Sequence, residues 1–145
     1  MKLYNTEDEI GLRMLYILEV SQPCSYSLDE LMYMDYLVLY SNHNETSLHP
    51  NYPFQVIELL SRREIIKNGL KLMTLKGLID IELTELGIRY KSNYDTKWFL
   101  EGIQTDYSIK LLTSAKYVYE KYGNFSMSDL KKVAFESYFK YDESL

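Results

Sequence analysis

The stretch SRREIIKNGLKLMTLKGLIDIELTELGIRYK, residues 61–91, changes its period partway along, and that change decides the fold. Ser61 followed three residues later by Glu64 has the spacing of a capping box, which predicts a helix over 62–76. Gly77 stands where a helix is stopped by a residue free to take positive φ. From 78 to 83, Leu-Ile-Asp-Ile-Glu-Leu, the pattern switches from a period of 3.6 to a period of 2, the signature of a strand. Residues 84–87 read as a turn and 88–91 as the returning strand. A helix followed at once by a hairpin is what the stretch specifies.

Upstream, Thr6 with Glu9 and Ser27 with Glu30 repeat the capping-box spacing. The first opens a helix with Ile10, Met14, Ile17 and Leu18 on one side, ending near 21–23. The second opens a helix over 28–40 that buries Leu28, Leu31, Met32, Val38 and Leu39. A loop, SNHNETSLHPNYPFQ at 41–55, holds both histidines and two of the three prolines. FQVIELL after it has room for two helical turns. Three helices and then a hairpin give a mainly α fold of winged helix-turn-helix type. Residues 1–92 form that domain, with 62–76 as its recognition helix and 84–87 as its wing tip. Residues 93–97 read as a linker. Helical periodicity returns at 98–103 and at 107–122, where Gly123 stops it. Residues 126–129 cap a last helix to about residue 141. This C-terminal helical extension, 93–145, packs on the domain or on a partner.

Apolar residues make up 46% of the 145, so a core can form, and the fifteen tyrosines argue against disorder. No apolar run approaches the ~18 residues of a membrane span. The N-terminus turns acidic at once and lacks the apolar region of a signal peptide. One cysteine, Cys24, excludes an internal disulfide and suits a reducing cytoplasm. The net charge of −5 is uneven: −7 over residues 1–60, +3 over 61–92 and −1 over 93–145. A basic segment in an acidic chain points to a contact surface there.

On a helical wheel of 62–76, Arg63, Lys67 and Lys71 share one exposed stripe beside Arg89 and Lys91 of the hairpin. Such a stripe is either a phosphate-contacting surface or an ordinary solvated face. Three charges are few for counterion-driven binding, and the acidic remainder of the chain opposes it. Arg62 falls instead in the middle of the apolar face, where a charge needs a partner. It either snorkels from the first turn or pairs with a carboxylate of a neighbouring helix, Asp35 or Glu58.

Signals for catalysis are weak. Cys24 has no histidine near it in sequence and reads as a small apolar residue. His43 and His49 are six apart, which fits neither a helical pair nor a usual zinc spacing. No glycine-rich phosphate loop is present, and no carboxylate pair is singled out. Neither a metal nor a cofactor is expected. His49 and Pro50, in a loop stiffened by Pro50 and Pro53, read as structural or docking residues. Trp98-Phe99-Leu100 reads as a piece of the core rather than a partner anchor.

A wider pattern runs through the chain: Ser27-Leu28-Asp29-Glu30-Leu31, Asp35-Tyr36-Leu37-Val38, Ser47-Leu48-His49-Pro50, Asn51 and Pro53. It continues with Glu58-Leu59-Leu60, Arg62-Arg63-Glu64, Gly69-Leu70, Lys76-Gly77-Leu78 and Gly87-Ile88-Arg89-Tyr90. Phe99-Leu100, Tyr107, Tyr122-Gly123 and the segment 126–130 complete it. In these residues the chain resembles the middle components of bacterial three-component ABC-ATPase (ABC-3C) systems, which are assigned to biological conflict or antiphage defence. The resemblance implies a non-catalytic adaptor, bridging an ABC ATPase and a third, effector-like component. The alternative is a winged-helix DNA-binding regulator or DNA sensor using Arg63, Lys67, Lys71, Arg89 and Lys91. A hydrolase reading would rest on Cys24, His43 and His49 alone. Winged helices often pair, which leaves a homodimer open.

Overall fold

The computed structural model describes residues 6–40 and 55–144, and side chains over 6–40 and 61–136. Helix α1, Glu7–Val20, is capped by Thr6, whose hydroxyl accepts the Glu9 N–H at 3.2 Å. Glu7, Asp8 and Glu9 place three acids on the positive end of its dipole. At α2, Leu28–Tyr40, the capping box closes both ways. The Ser27 hydroxyl accepts the Glu30 N–H at 3.1 Å, and the Glu30 carboxylate accepts the Ser27 N–H at 2.9 Å.

Helix α3 corrects one expectation. It runs unbroken over Gln55–Leu75, so Ser61 lies inside it and not at its start. The two helical turns expected after Pro53 and the helix expected from 62 are one element. No glycine or proline separates residue 55 from Gly69, so nothing interrupts the hydrogen-bond ladder there. The C-terminus does end at Gly77, with φ at 79°. The Leu78 N–H reaches the Met73 carbonyl at 3.0 Å and the Gly77 N–H the Thr74 carbonyl at 3.0 Å, a Schellman closure.

Strands β1, Ile79–Thr84, and β2, Gly87–Ser92, form an antiparallel hairpin around Glu85 and Leu86. Opposed pairs run from Ile79 with Ser92 to Thr84 with Gly87, where φ is 114°. Beyond β2, Tyr26 exchanges two backbone hydrogen bonds with Tyr90, at 2.9 and 2.8 Å. The segment between α1 and α2 thus lies along the hairpin. Residues 93–97 are no linker. Asn93 caps α4, Tyr94–Glu101, in a reciprocal box with Thr96, whose hydroxyl also donates to the Leu78 carbonyl at 2.7 Å. Helices α5, Asp106–Tyr122, and α6, Met127–Ser144, follow.

Helices α1 and α3 cross closely. A Cβ on Gly69 would lie 2.9 Å from Ile10 Cγ2 and 3.1 Å from the Gly11 nitrogen. Two glycines therefore let two backbones nearly touch. Helix α2 is buried on every side from residue 31 to residue 40, because α1 and α3 cover it together with α5 and α6. Ser114 of α5 donates to the Val38 carbonyl at 2.7 Å, and Phe135 of α6 packs on Tyr33. One apolar cluster runs continuously from Ile10 through Leu37 to Leu111 and Leu130. The chain is mainly helical with one small hairpin, in the element order expected from the sequence.

Candidate functional site

The chain has four arginines, and every one is held by an acid of α2. Arg13 of α1 donates to both oxygens of Asp35, at 2.8 Å from Nε and 3.2 Å from Nη2. Arg62 of α3 donates to the second oxygen at 2.6 Å. All three residues are buried. Burial alone would raise the Asp35 carboxyl, but the two guanidinium groups outweigh it and hold the carboxyl down at about 2. The same carboxylate keeps Arg13 protonated in spite of its desolvation. Tyr107 of α5 lies beside this cluster. Burial, and then contact with Glu9, push its phenol above the usual range.

The remaining two arginines are tied at the start of α2. Arg63 meets Asp29 at 2.8 Å in an exposed pair. Arg89 donates to the Ser25 hydroxyl at 3.0 Å and the Ser25 carbonyl at 2.7 Å, and lies 3.1 Å from Glu30. Glu30 is the capping-box residue, so one carboxylate both caps α2 and moors β2. The planar fork of arginine suits such multiple contacts.

This arrangement bears on the five cations singled out in the sequence. Arg63 and Arg89 are engaged as described, and Lys91 pairs with Glu82 at 3.0 Å across the hairpin. That contact raises the lysine and lowers the glutamate. Only Lys67 and Lys71, one turn apart on α3, stand exposed with no ion pair among the described residues. The stripe exists as a row of positions, but little of its charge is free.

Apolar exposure lies on the hairpin and on α4. On one face of the hairpin Ile81 stands beside Tyr90, and Leu83 beside Ile88. Ile81, Leu83 and Ile88 are exposed, Leu83 at 82%, and Leu86 at the tip is 92% exposed. Along β1 only Ile79, at the base, is buried. On α4, Trp98 is 77% exposed and Tyr94 one turn before it is exposed too, while Leu100 alone of the triplet is buried. The reading of Trp98-Phe99-Leu100 as core therefore holds for Leu100 and fails for Trp98. Helix α4 is only eight residues long, too short to bury more than one side.

Cys24 is half-buried against Tyr119, whose phenol is raised by it. A groove of about 370 Å³ between α1, α4 and α5 is lined by Tyr16, Glu19, Leu100, Glu101, Leu112 and Lys116. Burial raises the Glu19 carboxyl there. Among the described residues no group of three His, Cys, Asp or Glu side chains could hold a metal ion, and no helix is long and apolar enough to cross a membrane. His43, His49 and Pro50 lie outside the described residues, as does the Glu58 side chain.

Compared with known proteins, the chain matches one family model over residues 3–143, that of the ABC-three component (ABC-3C) system Middle Component 2. No curated protein and no solved structure matches it.

Proposed function

This chain belongs to the ABC-3C Middle Component 2 family, and from that membership we propose that it is a non-catalytic adaptor in the cytoplasm. It bridges an ABC ATPase and a third, effector-like component in a bacterial conflict or antiphage defence system. We read α1, α2, α3, the Tyr26 bridge and the hairpin as a winged helix over residues 1–92. In this reading α3 takes the recognition position and Glu85-Leu86 the wing tip. Residues 93–145 are its helical extension.

The observation that carries the adaptor reading is the apolar face of the hairpin. Ile81, Leu83, Leu86 and Ile88 are exposed apolar side chains on and at the tip of the hairpin, which supports a protein contact there. The exposed Tyr94 and Trp98 are of the type that anchors interfaces. Purification of the chain with the products of its neighbouring genes tests the reading. A stable complex at micromolar concentration is expected, and Leu83→Asp with Leu86→Asp is expected to break it. Clean separation of every component would refute it.

The second reading, DNA contact through Arg63, Lys67, Lys71, Arg89 and Lys91, is favoured by the two free lysines of α3. If only those two touch phosphate, log K falls with log salt at a slope of about −2. Duplex binding at low salt that disappears in Lys67→Glu/Lys71→Glu would support it. No binding at low salt ends it.

A further inference from the structure

Among the described residues, the hairpin register leaves one backbone edge open. Tyr90 exchanges both of its backbone hydrogen bonds with Tyr26, on the side of β2 away from β1. Its opposite number, Ile81, is therefore a non-hydrogen-bonded partner within the hairpin. By alternation, Asp80, Glu82 and Thr84 bond to β2, while Ile81 and Leu83 turn their N–H and C=O groups outward. Those groups have no partner among the described residues. Strand β1 packs on β2 and on the end of α3. An exposed strand edge flanked by apolar side chains is a template for another strand.

We infer that the outer edge of β1 takes an extended segment of another protein by strand addition, one in which apolar residues alternate with lysine or arginine. The inference rests on the adaptor reading and names the mode of contact. The chemistry of the occupant follows from the two faces of the hairpin. One face offers Ile81 and Leu83, which need apolar neighbours. On the other face β2 carries Arg89 and Lys91, and β1 carries Asp80 and Glu82. Positive beside negative is the order already built, and a cationic strand beside β1 continues it. A second copy of this chain fits badly. Antiparallel pairing of two β1 edges that matches Ile81 with Leu83 sets Glu82 against Glu82, and like charges directly opposite destabilise a ladder.

The test uses the full chain in complex with the ABC ATPase and third component of its system, by residue-resolved amide hydrogen exchange. In the free chain the Ile81 and Leu83 amides exchange fast and those of Glu82 and Thr84 slowly. In the complex Ile81 and Leu83 are expected to slow by at least about tenfold, as newly bonded amides do. Leu83→Pro removes an outward N–H, exchanges one apolar side chain for another and leaves the ladder to β2 intact, so the isolated variant keeps its circular dichroism and weakens the complex about tenfold. Leu83→Ile keeps it, and Asp80→Asn with Glu82→Gln makes it less sensitive to salt. A complex in which both amides stay fast overturns strand addition and leaves the adaptor reading standing. The absence of any complex overturns both.

Discussion

Replacing Asp35 by Asn keeps the shape of the side chain and removes the charge that two arginines share. In the protein three hydrogen bonds converge on that carboxylate, at 2.6, 2.8 and 3.2 Å, and the two arginine side chains are 0% and 3% exposed. Removing one member of a buried charged cluster costs about 3–5 kcal/mol, because the remaining charges lose their counterion away from water. An independent figure comes from titration. A carboxyl held at about 2 instead of 3.8 contributes roughly 2–3 kcal/mol at neutral pH. Its folded value is depressed, so this stability is complete above about pH 4 and is lost as pH falls toward 2. Urea unfolding followed by far-ultraviolet circular dichroism is the suitable assay, since Trp98 is too exposed to report on the core. At pH 7 Asp35→Asn is expected to lose about 3 kcal/mol. At pH 2.5 the gap to the native sequence is expected to narrow by about 1.5 kcal/mol. A gap below 1 kcal/mol at pH 7, or one that does not change with pH, would refute the reasoning. Replacing Arg13, Asp35 and Arg62 together by Met, Leu and Met is expected to recover most of the loss, since no charge is then left alone.

Two further substitutions test the packing. Gly69→Ala gains about 1 kcal/mol of helix propensity, but its Cβ enters the space of Ile10 and the Gly11 nitrogen. A net loss of about 1–2 kcal/mol is expected, seen as a lower melting temperature, and a rise would contradict the close crossing of α1 and α3. Arg89→Ala removes two bonds to Ser25 and the ion pair to Glu30. It is expected to cost about 1–2 kcal/mol and to speed exchange of the Tyr26 and Tyr90 amides. Unchanged exchange there would show that the hairpin is held by other means.

The element order was legible because period, caps and Gly77 agreed with one another around residues 61–91. The start of α3 was not, since Ser-x-x-Glu occurs on helix surfaces as well as at helix ends, and only the run before it decides which. The start of α4 was legible in principle from Asn93 and Thr96, a capping pair that lies next to a strand end and is easily taken for a linker. At the candidate site, Arg62 declared its need for a partner by its place in an apolar stripe, and the structure sets it on Asp35. Arg13 carries the same mark, between Ile10 and Ile17 on the buried side of α1, and the same argument applied there would have found the third member. The open edge of β1 could not have been read, because it depends on Tyr26, sixty-four residues away from Tyr90, occupying the other edge. The exposure of Trp98 likewise depends on which side of a two-turn helix faces α1.

The gathering of every arginine on α2 also governs how the protein can come apart. Helices α1 and α3 and the hairpin each hold α2 through a guanidinium, so an element that swings away leaves an acid on α2 without its counter-charge. Loss of the first element weakens the hold on the rest, and the sharing of Asp35 by Arg13 and Arg62 makes two of those departures a single event. Elements far apart in sequence are thereby bound into one cooperative unit. A partner that pulls on the hairpin pulls, through Arg89 and Glu30, on the first turn of the helix at the centre of the molecule.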